Sequence, residues 1–112
     1  MVSMSRMIRE RNELTEFLKS NDRVFVLFYA SWCPFSLAFL PTYEKHAERG
    51  GPHFVRMTLD GNEELFDEHV IEVYQTVLFF RAGKAQRRLD GKHLAGLKEK
   101  ELVELVASCA AE

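Results

Sequence analysis

The sequence predicts an α/β domain with a central mixed sheet of four to five strands and helices on both faces. Three observations predict it. The runs Val24 to Tyr29, Phe54 to Leu59 and Thr76 to Phe80 are β-branched or aromatic with little polar alternation, as in strands buried on both faces. Segments with apolar residues at helical spacing alternate with the first of these runs, which implies parallel pairing through right-handed crossovers. The last apolar run is followed by Ala82-Gly83-Lys84, a hairpin turn, so the final two strands should pair antiparallel.

The elements follow in order. Met7 to Arg9 is a short candidate edge strand. Leu14, Phe17 and Leu18 repeat at helical spacing, giving a helix over Asn12 to Ser20 with Asn12 as its cap. Asn21-Asp22 is a turn, and Val24 to Tyr29 a central strand. Pro34 suits the first turn of the next helix. That helix runs from Phe35 to Arg49 with Leu37, Phe39, Leu40, Tyr43 and Ala47 as its apolar stripe. Pro41 lies inside it and should kink it by removing a donor and crowding the preceding turn. Gly50-Gly51-Pro52 ends it. After the strand over Phe54 to Leu59, Asp60-Gly61-Asn62 turns the chain into a short helix from Glu63 to His69 carrying Leu65 and Phe66. Thr76 to Phe80 and Gln86 to Leu89 are the last strands. Lys98 to Ala110 closes the chain as a helix with Leu102, Val103, Leu105, Val106 and Cys109 facing inward.

The 112 residues fit one domain over 1–112, large enough to bury its own core without staples. An apolar fraction of 46% and a charged fraction of 29% are those of a folded globular chain. The net charge of -2 argues against a nucleic-acid partner. Lys84, Arg87 and Arg88 read as a solvated strand edge. No apolar run is long enough to cross a bilayer, so no membrane partner is expected. Met1 to Asn12 is polar and Arg-rich, without the apolar core of a secretory signal, which points to the cytoplasm. A monomer is expected. The two cysteines, Cys33 and Cys109, are too far apart in sequence to form a disulfide framework or a zinc site. His46, His53, His69 and His93 are scattered, so no metal and no other cofactor is expected.

Phe28-Tyr29-Ala30-Ser31-Trp32-Cys33 at a strand-to-helix junction, with Pro41 further along the helix and Phe79-Phe80-Arg81-Ala82-Gly83-Lys84 near the C-terminus, resembles the thioredoxin family. The resemblance covers nearly the whole chain and implies the thioredoxin fold. In that family the motif is Ala-x-Trp-Cys-x-x-Cys. Here the second cysteine falls on Ser36, the family's buried acid falls on Leu27, and its cis-proline falls at about Gln75, just before Thr76. The resulting Cys-x-x-Ser form is similar to domains of protein-disulfide-isomerase relatives that hold clients by mixed disulfides. The implied catalytic residues are Cys33 and Ser36. Trp32, Pro34, Phe35, Gln75 and Thr76 are the implied substrate-binding residues.

The chemistry follows from the residues. A cysteine at a helix start meets unsatisfied N–H groups and the positive end of the helix dipole, which favour a thiolate. Such a thiolate attacks a disulfide to give a mixed disulfide. Ser36 can donate to the sulfur but cannot resolve that bond, because an alcohol is too weak an acid and nucleophile. Release then needs a thiol of the client protein or a small thiol such as glutathione, and dithiol reductase activity should be weak or absent. Leu27 spares the core a buried charge that has no task without a second thiol. A trans peptide is expected before Gln75, since a cis bond there costs about 3 kcal/mol.

Two alternatives stand beside this reading. Trp32, Phe35 and Tyr74 could form an apolar patch for a non-enzymatic binding module. Cys33-Pro34-Phe35-Ser36 also resembles the Cys-Gly-Phe-Ser site of monothiol glutaredoxins, which hold an iron–sulfur cluster with glutathione. Cys109 reads as a small buried apolar residue. Asp60 and Glu44 read as surface charges rather than an acid–base pair. Arg56, on the strand flanking the site, is a candidate thiolate stabiliser.

Overall fold

The computed structural model describes residues 6–30, 33–47, 53–58, 61–69, 71, 75–90 and 99–109. Its elements are β1 (Arg6–Ile8), α1 (Arg11–Ser20), β2 (Arg23–Tyr29), α2 (Pro34–Ala47), β3 (His53–Thr58), α3 (Glu63–Glu68), β4 (Gln75–Arg81), β5 (Lys84–Asp90) and α4 (Glu99–Cys109). They form a five-stranded mixed sheet in the order β1-β3-β2-β4-β5. This is the thioredoxin fold that the sequence predicts. β1 and β2 run parallel to β3, while β4 is antiparallel to both β2 and β5.

The direction of β4 corrects a sequence expectation. Strand–helix alternation implied parallel pairing, yet β4 follows a helix and runs antiparallel to β2. α3 has six residues and does not run the length of the sheet, and the chain re-enters the sheet at the end it had left, with Gln75 opposite Tyr29.

β2 is the middle strand, and its alternate residues feed two cores. Val24, Val26 and Phe28 pack with Leu14 of α1, Leu65 and Phe66 of α3, and Leu78 and Phe80 of β4. Phe25, Leu27 and Tyr29 pack with Phe39 and Tyr43 of α2, Leu102 and Leu105 of α4, and Val77 and Phe79 of β4. On the α2 side, the Tyr43 hydroxyl lies 2.9 Å from the Phe25 carbonyl and 2.7 Å from that of Val55. It thereby fastens α2 to two neighbouring strands at once. Burial, reinforced by the Glu44 carboxylate, holds the phenol well above its usual range, so Tyr43 stays a neutral donor.

Several helix details differ from expectation. Glu10, not Asn12, is the N-cap of α1. Glu13 reaches back instead and accepts the Arg9 N–H at 3.1 Å, a bond that lowers the pKa of its carboxyl. Val103 and Leu37, expected inside, are 45% and 49% exposed. Each adjoins an apolar stripe but falls on its outer side. α2 continues through Pro41, which deprives the Leu37 carbonyl of its intrahelical donor.

The turns behave as their residues require. Arg81 pairs with Lys84 across Ala82 and Gly83, whose φ values are 52° and 81°. Two left-handed residues make the tight hairpin turn that matches strand twist. Ala82 is strained there, and its N–H donates to the Asp22 carbonyl at 2.9 Å. Beyond β3, buried Asn62 donates to the Thr58 and Arg9 carbonyls at 3.0 and 3.1 Å, tying the ends of β3 and β1 together.

Two stability predictions follow from these contacts. Replacing Tyr43 by Phe keeps the ring but removes the helix-to-sheet bond, and urea denaturation should show a loss of about 1 kcal/mol. His69 packs against Phe28 and Phe80 with ring centroids 5.7 and 5.8 Å away. Burial lowers its pKa, Glu68 opposes that shift, and Arg88 and Arg11 add to it. The unfolded chain, with an ordinary value near about 6.5, therefore binds the proton more readily. The contribution of His69 is complete above that value and is lost as pH falls through the folded pKa. The urea midpoint should drop between neutral and mildly acidic pH, and His69→Gln should flatten that drop.

Candidate functional site

Cys33 stands where β2 becomes α2. Tyr29 and Ala30 are buried at the end of the strand. The Cys33 N–H donates back to the Ala30 carbonyl at 3.1 Å, and its own carbonyl accepts the Leu37 N–H at 3.0 Å. These two bonds make Cys33 the N-cap of α2. Pro34 is the first helical residue, where a missing N–H costs nothing and the fixed φ suits the helix. The amides of Phe35 and Ser36 start the helix with no carbonyl one turn back inside it. An N-cap side chain sits over those amides, a place that Ser, Thr and Asp fill because they accept hydrogen bonds there. That place lies at the positive end of the helix dipole, which favours an anion. Cys33 is a free thiol, half-buried.

The other expected site residues are placed unevenly. Pro34 is exposed beside Cys33. Gln75 begins β4 directly across from Tyr29, and Thr76 lies across from Phe28. The start of β4 therefore lies beside the strand end from which Cys33 follows. Thr76 is fully buried, and its hydroxyl donates to Asp90 Oδ1 at 3.2 Å. Trp32 and Tyr74, and the side chains of Phe35, Ser36, Gln75 and Cys109, lie outside the described residues, as do Leu59, Asp60 and His93. The peptide bond entering Gln75 comes from Tyr74 and is outside them too. Among the described residues no peptide bond is cis. No group of three potential metal ligands occurs among the described residues.

Leu37 was missed by the sequence reading. It lies four residues after Cys33, hence on the same side of α2, and it presents apolar surface to solvent beside the thiol. Its apolar character was legible, but helical spacing alone assigned it to the buried stripe.

The charges near the site also differ from expectation. Glu44 is not a surface charge. It accepts a hydrogen bond from Arg56 Nη1 at 3.0 Å, and the two side chains are 6% and 13% exposed. Glu44 sits about three turns beyond Cys33, roughly 16 Å along the helix, so the guanidinium it holds is drawn away from the sulfur. Arg56 is in register with Leu27 on the neighbouring strand. The apolar Leu27 thus has a buried ion pair for a neighbour rather than carrying a charge itself. A separate cleft between the end of α1 and the β4–β5 turn, lined by Leu18, Asn21, Asp22, Ala82 and Gly83, opens at the opposite end of the sheet from Cys33.

Comparisons with known proteins agree with this geometry. The thioredoxin family profile matches residues 6–107. A thioredoxin of Mycoplasmoides gallisepticum is 32% identical over 100 residues, covering 88% of this chain and 96% of that protein. A probable protein disulfide-isomerase A4 of Caenorhabditis elegans is 34% identical over 92 residues, which are 82% of this chain and 14% of that protein. Among solved structures, a thioredoxin variant from Halobacterium salinarum superposes with a TM-score of 0.82 at 24% identity, covering 94% of this chain and 89% of that one.

The buried pair yields a test that separates pairing from burial. Glu44→Leu leaves the Arg56 charge buried without its carboxylate and should cost about 3 kcal/mol or more in urea denaturation. Adding Arg56→Met to that variant should recover most of the loss, because the pair is then replaced by apolar packing.

Proposed function

The chain belongs to the thioredoxin family, and from that premise we propose that it captures client proteins as mixed disulfides through Cys33 alone. The family consists of thiol–disulfide oxidoreductases that act on protein thiols and disulfides. The observation that carries the proposal is Cys33 as the half-buried N-cap of α2, with Ser36 at the place of the family's second cysteine.

The Cys33 thiolate attacks one sulfur of a client disulfide. A bond forms from Cys33 to that sulfur, the client S–S bond breaks, and the other client sulfur leaves as a thiolate. The electron count is unchanged, since one disulfide has replaced another. Ser36, one turn along the chain, does not displace the client, because an alcohol is too weak a nucleophile. A thiol of the client, or a small thiol such as glutathione, attacks the client sulfur and returns Cys33 as thiolate. Trp32, Pro34, Phe35, Leu37 and Gln75 form the client contact, and buried Thr76 supports it from within the sheet. The reaction needs no residue from a second copy, so the protein acts as a monomer. A reducing compartment such as the cytoplasm, rich in small thiols, suits release by an external thiol.

The test uses a peptide carrying a disulfide to a chromogenic thiol. The native chain should release the chromophore and gain the mass of the peptide, and Cys33→Ser should do neither. Persistent peptide binding by Cys33→Ser would instead mark a non-covalent docking module. In insulin reduction driven by dithiothreitol, the native chain should add little to the uncatalysed rate. Ser36→Cys should raise it clearly, because the restored thiol can release the client.

A further inference from the structure

β5 carries an arrangement that the reactive thiol does not explain. Asp90 and Arg88 are two residues apart on one strand and so share a face of the sheet. Arg88 grips Asp90 with two parallel bonds, Nε to Oδ2 at 3.0 Å and Nη2 to Oδ1 at 2.7 Å. Asp90 Oδ1 also accepts the hydroxyl of buried Thr76 at 3.2 Å. The remaining arm of the guanidinium, Nη1, donates to the His69 carbonyl at 2.9 Å. His69 caps the end of α3, and its N–H is bonded to the Leu65 carbonyl at 3.2 Å. One planar cation therefore joins the end of α3, the start of β4 and β5.

Thr76 follows Gln75, the residue opposite Tyr29. Cys33 is bonded to the carbonyl of the residue after Tyr29. Whatever fixes Thr76 thus fixes the wall beside the thiol. Proline, whose ring would stiffen that position through the backbone, is absent from Gln75 and its neighbours. The side chains of Arg88 and Asp90 are 38% and 47% exposed, and ion pairs so exposed contribute little to global stability. A forked guanidinium–carboxylate pair instead supplies directional restraint.

We propose that Arg88 and Asp90 are positioning residues that hold the start of β4 beside Cys33, and so set the rate at which an extended, disulfide-bonded peptide is captured. The inference rests on the mixed-disulfide reading of Cys33. It adds a specificity element: a peptide must pass the start of β4 at Gln75 to react, whereas a small electrophile need only reach the sulfur.

The experiment compares two rates in the native chain, Arg88→Ala, Arg88→Lys and Asp90→Asn. One is capture of the peptide disulfide. The other is alkylation of Cys33 by iodoacetamide, followed by mass mapping. Capture should slow about tenfold in Arg88→Ala and Asp90→Asn, since small displacements at a reacting site carry large rate costs. Alkylation should stay within about twofold of native. Arg88→Lys should fall between native and Arg88→Ala, because an ammonium keeps the charge but not the fork. Unchanged capture in both Arg88→Ala and Asp90→Asn would overturn the inference. Equal slowing of capture and alkylation would do so as well, by locating the effect at the sulfur. A native chain that is alkylated at Cys33 yet captures no peptide would overturn the mixed-disulfide reading itself, and this inference with it.

Discussion

The attachment of α2 to the sheet through Tyr43 is the constraint on which the site depends. A helix packed only by apolar contact can slide or roll, because burial is not directional. A buried hydroxyl between the Phe25 and Val55 carbonyls fixes both position and rotation. Those carbonyls belong to adjacent, paired strands, so the helix is referenced to the middle of the sheet rather than its edge. The start of the same helix is Cys33. The backbone at Cys33 is thus referenced to a contact ten residues away in the core.

Electrostatics support this division of labour. Leu27, two residues before the end of β2, is apolar, and the buried charges near it are Glu44 on α2 and Arg56 on β3. A carboxylate at Leu27 would compete for the same low-dielectric space and disfavour a second anion nearby. Glu44 is paired with Arg56 about three turns beyond Cys33, so its charge adds little at the start of α2. That arrangement suits a thiol that only attacks. A thiol that must also be resolved by a neighbour needs a proton acceptor close by, and Ser36 makes no such demand.

Much of this was legible in the sequence, for identifiable reasons. The central strands declared themselves because burial on both faces leaves uninterrupted apolar runs such as Val24 to Tyr29. The hairpin was legible because Gly83 lies between two strand-like runs, although Ala82 joins it in the left-handed region at a cost. Cys33 at a helix start followed from the order of apolar strand, cysteine, proline and apolar helix. Beyond the direction of β4 and the cap of α1, what failed involved facing rather than type. Helical spacing marks a stripe but not its edges, so Leu37 and Val103 were assigned inward although the sheet meets their neighbours instead. Glu44 looked solvated beside Lys45 and His46, because its partner Arg56 lies on another element. Asp90 and Thr76 are likewise partners only across the sheet, and nothing local in either segment points to the other.

The direction of β4 links these particulars. The connection after β3 does not return along the sheet, so β4 starts where β3 ended, at the same end as Cys33. An antiparallel β4 in turn admits a two-residue hairpin, and β5 then returns to that end of the sheet, with Arg88 and Asp90 among its last residues. Had β4 run parallel, its first residues would lie at the far end of the sheet, beside Arg23 rather than Tyr29. The wall beside the thiol and the pair that braces it are thus consequences of one reversal of direction in the chain.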